Sequence, residues 1–408
     1  MTNLPQGWEW KSLGEICFIT DGTHKTPNYI ETGIPFLSVK NISKGFFDLS
    51  DVKYISLEEH NKLIKRAKPE FGDILICRIG TLGKAIKISL EFEFSIFVSL
   101  GLLKPKVKII SDYLVYFLNS YFIEGWINDN KVGGGTHTAK LNLNILEKCP
   151  IALPPLKEQE RIVGILDESF AKIDESIKIL EQDLLNLDEL MQSALQKAFN
   201  PLKDNVKENY KLPQSWEWKS LGEIGEIITG TTPSKNNPNF YGNEYPLFKP
   251  SDLNGDIIIK YASDNLSKLG FDNARNLPKD TILVVCIGAS IGKVGLSGVN
   301  GSCNQQINAI IPNSAFTSKY LFFVCLSNYF QTILKKNASQ TTLPIINKTE
   351  FSKLQIPLPP IKEQEQITSH LDELSSHVKN LKQNYQAQIK DLQELKNSLL
   401  DKAFKGNL

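Results

Sequence analysis

Two glycine-rich segments contain residue types that bind phosphate. IGASIGK, Ile287 to Lys293, is close to a nucleotide-binding loop, but it has one residue too few between its glycines, and Val294 stands where Ser or Thr would hold magnesium. GTLGK, Gly80 to Lys84, fails in the same way. Both segments therefore predict tight hairpin turns. Such turns would project side chains suited to phosphates or guanine edges, namely Arg78, Thr81, Lys84, Ser290 and Lys293.

Further polar segments have side chains suited to recognising bases. DGTHKTP, Asp21 to Pro27, holds an Asp/His pair, but a single histidine without a partner motif favours a polar binding loop over catalysis. Asn304 to Gln306 carries amides, which bind adenine through two hydrogen bonds. GGGTHTAK, Gly133 to Lys140, predicts a flexible loop. The candidate set for nucleic-acid binding is completed by Thr23, His24, Lys25, Lys40, Asn41, His137, Thr231, Ser234, Lys235, Lys249, Ser251, Asn304, Gln305 and Gln306.

Motifs for catalysis and metal binding are missing from the sequence. The chain has no N-P-P-[YF] amino-methylating motif, Walker A motif, H-E-x-x-H, G-x-S-x-G or clustered Asp/Glu/Lys nuclease core. Its six cysteines are far apart and form no C-x-x-C pair, so neither a zinc site nor a disulfide framework is predicted. We therefore predict no catalytic residue, no metal and no cofactor bound by this chain.

The sequence segments that must position the polar loops occur twice in the chain. LPQGWEWKSLGEI, Leu4 to Ile16, returns 208 residues later with one change, and LPPLKEQERI, Leu153 to Ile162, returns 205 residues later as LPPIKEQEQI. LQKAF and LDKAF close the two copies at Phe199 and Phe404. Between these boxes the two copies share almost nothing. The sequence thus predicts one frame that reads two different things.

Each copy begins with an α+β block of short strands and turns. Phe71 to Gly80 with TLGKAIKI predicts a hairpin, and so does Asp280 to Leu296. One short amphipathic helix is expected at the end of each block, over DYLVYFLNSYFIEGWI and SKYLFFVCLSNYFQTIL. The predicted fold class is α+β, with a strongly bent sheet in each block and the polar residues on its turns.

A long helix follows each Pro-Pro pair, and its apolar residues repeat at heptad spacing. At roughly 40 residues and about 1.5 Å per residue, each helix is too long to pack on its own block alone. We expect the two helices to pair as an antiparallel coiled coil with pseudo-two-fold symmetry; a homodimeric coiled coil is the alternative. The seam includes Leu166, Ile173, Leu180, Leu187, Leu371, Val378, Tyr385 and Leu392, and in the second helix it also takes in Leu374, Leu381, Gln388, Leu395 and Leu399.

Length, composition and charge fit this organisation. The chain has 408 residues and a net charge of +1, with mildly basic blocks. No apolar run is long enough to span a bilayer, so a cytoplasmic protein with reduced cysteines is expected. The low charge indicates that partners supply part of any phosphate neutralisation. The predicted boundaries are blocks at residues 1–150 and 212–356, helices at 151–200 and 357–408, and a linker at 201–211.

The order of these boxes resembles the DNA-specificity subunit of type I restriction-modification systems. The resemblance is carried by GWEWKSLGEI, the two LPP-[LI]-KEQE boxes, DGTHKTP followed by GIPFLSVKNIS, CRIGTLGK, TGTTPSKNNPNFYG and NQQI, and it covers essentially the whole chain. GASIGK departs from it by one extra residue relative to GTLGK and by the missing Arg, which makes a contact by the second turn less secure.

This resemblance implies a reader of DNA that catalyses nothing. Two target-recognition domains would each bind one half of a split sequence. The stiff helical spacer itself predicts half-sites about one helical turn, roughly 34 Å, apart if both domains lie on one face of B-DNA, and the two halves should differ because the domains differ. The paired helices and the P-P-x-x-E-Q boxes would dock two methyltransferase subunits, at Glu158, Gln159, Glu363 and Gln364. Those subunits bind S-adenosylmethionine and methylate adenine, and two motor-nuclease subunits that use ATP and magnesium can join them.

Two other functions remain to be weighed at this stage. A coiled-coil adaptor that binds proteins but not DNA is consistent with the low net charge. A nucleotide-dependent enzyme would need a complete phosphate-binding loop, which the spacing of the glycines argues against.

Overall fold

The computed structural model describes residues 4–134, 139–199, 212–253, 257–339 and 343–408. It divides into two compact units: unit 1 is Met1–Leu180 with Gln386–Leu408, and unit 2 is Glu181–Tyr385. Both units mix helix and strand, which confirms the α+β class. His137 and the predicted linker, residues 201–211, lie outside the described residues, and the predicted domain limits stay predictions.

The helices of the described residues fall into short segments and two long ones. They are α1 (Leu13–Ile16), α2 (Leu57–Leu63), α3 (Ser111–Leu118), α4 (Tyr121–Asn130), α5 (Leu143–Leu146), α6 (Leu156–Ala198), α7 (Leu221–Ile224), α8 (Lys268–Asn273), α9 (Ser318–Leu326), α10 (Asn328–Lys336), α11 (Lys348–Ser352) and α12 (Ile361–Phe404). None of the helices in the described ranges is long and apolar enough to cross a membrane.

The strands are short. Those of unit 1 are β1 (Glu9–Ser12), β2 (Cys17–Asp21), β3 (Ile34–Leu37), β4 (Lys53–Ile55), β5 (Ile74–Cys77), β6 (Ala85–Lys87), β7 (Ser95–Ile96), β8 (Leu100–Pro105) and β9 (Pro150–Leu153). Those of unit 2 are β10 (Glu217–Ser220), β11 (Ile227–Thr229), β12 (Tyr241–Phe248), β13 (Ile258–Ile259), β14 (Asp264–Leu266), β15 (Ile282–Val285), β16 (Val294–Ser297), β17 (Ser302–Cys303), β18 (Ile307–Ile310) and β19 (Gln355–Leu358).

The main sheets of the two units have the same strand order. Unit 1 has β2-β8-β5-β6 and unit 2 has β11-β18-β15-β16, with β13 added at the end. A second, three-stranded sheet accompanies each, β4-β3-β7 and β14-β12-β17. The pairs β5/β6 and β15/β16 are antiparallel neighbours, which confirms both predicted hairpins.

The repeated boxes are the frame of each unit because they pair with each other. Residues of the opening box form β1, which pairs antiparallel with β9 of the closing box, from Glu9 opposite Leu153 to Ser12 opposite Pro150. Strands β10 and β19 pair in the same register in unit 2. A capping box follows each opening strand, with the Ser12 amide 2.6 Å from a Glu15 carboxylate oxygen. The repetition of these sequences thus has a structural cause.

The single helix predicted at the end of each block is wrong, because serine interrupts it. In unit 1, α3 stops before Ser120, whose hydroxyl accepts the amide of Ile123 at 3.5 Å. In unit 2, α9 stops before Ser327, whose hydroxyl accepts the amide of Phe330 at 3.3 Å. Serine favours the N-cap because its side chain satisfies an amide that the helix leaves unpaired. Two short helices, α3 with α4 and α9 with α10, result.

The ends of the long helices lie in the cores, and this accounts for the repeated KAF sequence. In unit 2, Phe199 is fully buried and its ring lies 5.8 Å from that of Tyr320. In unit 1, Phe404 is buried with its ring 4.9 Å from that of Phe117 and 5.7 Å from that of Tyr113. Such edge-to-face pairs add to the large area that aromatic rings bury.

The two long helices pack antiparallel within each unit, as predicted. In unit 1 the ammonium of Lys396 lies 2.7 Å from a carboxylate oxygen of Asp174 and 4.8 Å from the ring centre of Phe170. In unit 2, Lys382 pairs with Asp188. Chain positions rise along α6 while their partners fall along α12. The pseudo-two-fold axis concerns the arrangement of the two units and stays a prediction.

The seam follows the predicted heptads only in part. Of the predicted positions, five are buried, namely Leu166, Ile173, Leu187, Leu371 and Val378, and five are half-buried, namely Leu180, Leu374, Tyr385, Leu392 and Leu399. Leu381, Gln388 and Leu395 were expected in the seam but are exposed, Leu381 to 40% and Leu395 to 45%, whereas Leu195, which is not among the predicted positions, is buried. Leu195 is buried because the end of α6 packs into the core of unit 2.

Candidate nucleic-acid interface

Each unit has a polar loop that leaves the edge strand of its main sheet. In unit 1 the loop is Asp21–Pro27, which begins at the last residue of β2; in unit 2 it is residues 229–235, which begin at the last residue of β11. Glycine seats each loop against the neighbouring strand. A Cβ on Gly22 would lie 2.0 Å from the Ile96 carbonyl oxygen, and one on Gly230 would lie 2.2 Å from a backbone oxygen. A larger residue at either glycine would collide with the adjacent backbone. Both loops therefore need glycine at the same point of the fold.

A buried carboxylate organises the unit 1 loop. Both oxygens of Asp21, a side chain that is only 1% exposed, bind arginine: Arg66 on one and Arg78 on the other. His24 lies 3.1 Å from the same carboxylate through Nε2. Burial by itself would raise the pKa of Asp21, but hydrogen bonds and charge from Arg66 and Arg78 hold that pKa below its ordinary value. The Asp/His pair of the sequence therefore belongs to a surface loop that is anchored by Asp21.

Arg78 was predicted to project from the sheet edge, and this is wrong. Its side chain is buried, and its guanidinium also donates through Nε to the Leu141 carbonyl oxygen at 3.0 Å. Because burying an unpaired guanidinium would be costly, the inward-facing side chain is paired with the Asp21 carboxylate. Arg78 holds the loop and is not available for DNA.

Arg66 was missed by sequence reasoning. It follows α2, its Nε donates to the main-chain carbonyl of Asp21 at 3.2 Å, and one of its terminal nitrogens lies 3.4 Å from Nε2 of His24. Its side chain is 54% exposed. Forty-five positions separate Arg66 from the loop, and no local pattern links them. Together, Arg66 and His24 make an exposed basic pair at the surface.

Arg275 holds the unit 2 loop through the corresponding carbonyl. It follows α8, and its guanidinium donates to the carbonyl of Thr229 at 2.6 Å. Its backbone amide donates to the hydroxyl of Thr231 at 3.1 Å, so this candidate residue is partly engaged within the chain. Arg275 is exposed and was also missed. A weak signal for both arginines exists in hindsight, since each is followed by proline three residues later, at Pro69 and Pro278.

Amide side chains line the unit 2 loop. The hydroxyl of Thr232 donates to the amide oxygen of Gln305 at 2.9 Å, and Gln305 is exposed. Asn304 is buried and donates to the amide oxygen of Gln306 at 2.9 Å, while its own oxygen accepts the Gln306 backbone amide. Gln305 is thus presented to solvent by a turn that Asn304 and Gln306 hold.

The Asn304–Gln306 turn occupies the position of Phe97, Val98 and Ser99 in unit 1. The carbonyl of Ser99 accepts the Arg78 amide at 2.9 Å, and the carbonyl of Gln306 accepts the Cys286 amide at 2.8 Å. The two bonds lie at equivalent positions, one in the main sheet of each unit. One place in the fold therefore carries two apolar residues and a serine in unit 1 and three amide side chains in unit 2.

Both glycine-rich segments form the predicted hairpin turns. Gly80 and Gly83 have φ of 81° and 82°, and Gly288 and Gly292 have φ of 93° and 92°. The amide of the second glycine closes each turn, at 2.9 Å to the carbonyl of Cys77 or Val285. The extra residue in unit 2 changes neither bond, and the expectation that a DNA contact by the second turn is less secure stays a prediction. Of the side chains on these turns, Thr81 and Lys293 are exposed, and Lys84 and Ser290 are half-buried.

The remaining candidates divide between exposed and engaged residues. Lys25, Lys40, Ser234, Lys235 and Ser251 are exposed, and Thr23 donates its hydroxyl to the Lys25 carbonyl at 3.0 Å. Lys249 pairs with Asp264. Asn41 is buried and donates to the carbonyl of Asp48 at 3.0 Å, so its predicted role at the interface is wrong. Polar type alone does not tell a base-reading amide from one that closes a turn.

The chain matches a known family over most of its length. A family model described as the type I restriction modification DNA specificity domain matches residues 5–184 and again residues 213–391. The chain belongs to this family. As a specificity subunit it selects DNA and is not itself an enzyme.

Named relatives agree with this family. The type I restriction enzyme StySPI specificity subunit of Salmonella potsdam is 25% identical over 99% of this chain and 90% of its own length. The EcoKI specificity subunit of Escherichia coli is 24% identical over the same shares. The HindI specificity subunit of Haemophilus influenzae is 32% identical, but over 48% of this chain and 42% of its own.

Solved structures share the fold. A chain from a structure describing assembly and conformational transition of the type I restriction-modification system is 23% identical, with a TM-score of 0.80 and complete coverage of both chains. The HsdS subunit from Thermoanaerobacter tengcongensis is 22% identical, with a TM-score of 0.58, over 100% of this chain and 99% of that one. At these identities the likeness concerns the fold alone.

Two residues of this specificity subunit that were predicted to dock partners are buried instead. Gln159 accepts the Ile110 amide at 2.9 Å and donates to the Pro154 carbonyl at 2.9 Å. Gln364 accepts the Thr317 amide at 2.8 Å and donates to the carbonyl of its own proline pair. Each glutamine clamps the start of a long helix to its unit, so a docking role for these two residues is wrong.

The neighbouring glutamates also have partners within the chain. Glu158 binds Arg161 through two hydrogen bonds of 2.8 and 2.7 Å. Glu363 accepts the Ser215 hydroxyl at 2.8 Å and the Trp216 indole N–H at 2.7 Å, which ties the opening box to the helix. Both glutamates are half-buried, so their predicted docking role stays a prediction.

The cysteines of the specificity subunit are buried and free. Burial raises the pKa of the Cys17, Cys77 and Cys149 thiols to about 12, and has the same effect on Cys286 and Cys303. Thiols with such pKa values are poor nucleophiles and poor metal ligands at neutral pH. Within the ranges that the structure describes, no cluster of His, Cys, Asp or Glu could hold a metal ion.

Proposed function

We propose that this subunit recognises an asymmetric, bipartite DNA target, one half with each unit. The observation that carries the proposal is the pair of loops at one position of one frame, charged in unit 1 and, in unit 2, rich in hydroxyl groups and lined by the amides of the Asn304–Gln306 turn. Two different sets of hydrogen-bonding groups read two different sets of base edges. Joining two short readings in one chain makes the second contact intramolecular, which raises affinity without new contacts.

The same proposal assigns the partners. The chain works with two methyltransferase subunits that bind S-adenosylmethionine and methylate adenine, and with motor-nuclease subunits that use ATP and magnesium, all in the cytoplasm. Two copies of one partner need two copies of one docking surface. Exposed residues without an evident task in the fold recur at the start of both long helices: Leu156 and Ile361, Lys157 and Lys362, Glu160 and Glu365.

Docking at these positions is supported by their apolar exposure. Leu156 is 40% exposed and Ile361 is 38% exposed, although each begins a helix beside a buried core. We expect Leu156→Glu or Ile361→Glu to lower the number of bound methyltransferase copies from two to one, measured by native mass spectrometry. Leu57→Glu, at an exposed leucine outside the repeated boxes, is the control. Two bound copies in both variants would contradict this docking surface.

The target itself is tested by co-expression. The chain and its neighbouring methyltransferase are expressed in a host without adenine methylation, and modified bases are mapped by single-molecule sequencing. A new split motif with two unlike halves is expected. A host that carries the methyltransferase alone is the control. An assembled complex that adds no methylation would favour the protein-binding adaptor and overturn the assignment.

A further inference from the structure

Arg66 and Arg275 are matched in the two units, although their surroundings differ. Each follows a short helix, α2 or α8, and donates to the carbonyl of the residue just before the seated glycine, Asp21 or Thr229. The chain has only four arginines among its 46 basic residues. Half of them therefore hold the same carbonyl at the same point of the two units.

We propose that Arg66 and Arg275 bind DNA phosphates, one in each half-site, and thereby set the register in which the loops beside them read bases. This inference rests on the proposed function and extends it to two residues. A feature that both units share must contact something that both half-sites share. The two half-sites differ in bases, whereas the phosphate backbone is common to them.

The chemistry of the two side chains supports phosphate. A guanidinium carries five N–H donors in a fixed plane, and its geometry matches phosphate oxygens. The contacts described above occupy two nitrogens of Arg66 and one of Arg275, and both side chains are exposed. The carbonyl bond orients the plane in advance, so that little side-chain entropy remains to be lost on binding.

The local charge also favours an anion. In unit 1, Arg66 and Arg78 share the single carboxylate of Asp21, which leaves one positive charge in excess. In unit 2 the residue whose carbonyl is held is Thr229, which has no charge. The groups that differ between the loops, such as His24 in unit 1 and Gln305 in unit 2, are left to contact bases.

The test measures how salt affects DNA binding by the complete complex with its methyltransferase partner. Affinities for target and unrelated duplexes are measured between low and moderate salt for wild type, Arg275→Ala and Arg66→Ala. Each arginine removed should weaken both duplexes about tenfold, as loss of a charged hydrogen bond does. It should also reduce the slope of log K against log salt by about one. The methylated motif in cells should not change.

Matched controls isolate the position of the charge. Lys62→Ala on α2 and Lys268→Ala on α8 remove the same charge a few residues earlier, from exposed ion pairs with Glu58 and Asp272. They should leave the slope nearly unchanged. Equal slopes for the controls and the arginine variants would overturn the proposal, because charge at any nearby position would then suffice. Thermal unfolding of Arg275→Ala, which breaks no ion pair with the loop, separates binding from folding.

Three further outcomes would also overturn the proposal. If Arg275→Ala changed the bases of the second half-site without changing the slope, Arg275 would read a base. If wild type bound its target and both variants bound as wild type does, the arginines would only hold the loops, and the proposed function would stand. If wild type showed no salt-dependent binding, the proposed function would fail with this inference.

Discussion

The loops of the two units are fixed at the same place by different interactions. In unit 1 the loop is held by charge, through the buried Asp21 carboxylate and its two arginines. In unit 2 the corresponding side chain is neutral, and the Thr229 hydroxyl donates to the amide oxygen of Asn308 at 2.7 Å. The elements that both units keep are the seated glycine and the arginine on the carbonyl. Everything else near the loop is open to variation, as a scaffold that serves different targets requires.

The largest expected effect comes from removing the charge that only unit 1 has. Asp21→Ala leaves two guanidiniums without their carboxylate, one of them buried. Breaking a buried ion pair costs about 3–5 kcal/mol, so unit 1 should unfold at a lower temperature in calorimetry and the first half-site should lose methylation. Thr229→Ala, at the matching position of unit 2, should cost far less. Equal losses in the two variants would mean that charge is not what distinguishes the loops.

The helix clamps are common to both units and should respond alike. Gln159→Ala and Gln364→Ala each leave a partly buried backbone amide and a buried carbonyl without this partner, and an unpaired buried group costs about 1–3 kcal/mol. Urea unfolding should show this loss for both, while the exposed Glu160→Ala should stay near wild type. If the glutamine variants kept full stability but lost the methyltransferase, the docking role would be restored.

The bases that are read should divide between the units. His24→Ala should relax the first half of the methylated motif and Gln305→Ala the second half, because a good pair of base contacts discriminates by about 1–3 kcal/mol. Single-molecule sequencing of cellular DNA reads both halves at once. A change in the half belonging to the other unit would contradict independent reading. Thr81→Ala, on the unit 1 turn, tests whether the glycine-rich turn takes part.

The smallest expected effect is a difference in acid sensitivity. The pKa of Asp21 is lowered in the folded protein, so its contribution to stability is present above the unfolded value of about 3.9 and is lost as pH falls through the folded value. Below about pH 4, the free energy of unfolding of unit 1 should fall more steeply with falling pH in wild type than in Asp21→Asn. Parallel pH profiles would show that the pKa of Asp21 is the same in the folded and the unfolded protein.

Local patterns in the sequence predicted the frame well. The hairpin at β5/β6 and the antiparallel long helices follow from alternation and from heptads, which arise within one element or between two similar ones. The helix ends at Ser120 and Ser327 were missed, although serine is a common N-cap, because the apolar pattern runs on across both. Hydrophobic period alone does not show where a helix is interrupted.

The interface was harder to predict, because its contacts are distant in sequence. Arg66 meets its loop from 45 positions away, and Arg78 turned inward to a carboxylate that its own hairpin does not contain. Asn41 and Gln364 have the side chains of readers and dockers but are buried and fully occupied. Burial decides between these roles, and burial depends on the whole fold.

The core of unit 1 is built from two distant parts of the chain, and this affects the order in which the chain can fold during synthesis. Unit 2 is one continuous stretch, residues 181–385, so its contacts are complete as soon as that stretch has left the ribosome. Unit 1 needs Leu400, Ala403 and Phe404, which pack among residues made about 230 positions or more earlier. The first block to be translated is therefore the last to be finished, and it waits with an open core while the second block folds. A nascent chain stopped before Phe404 leaves that core uncovered, so the cell would meet early termination as an aggregation-prone N-terminal half and not as a missing tail.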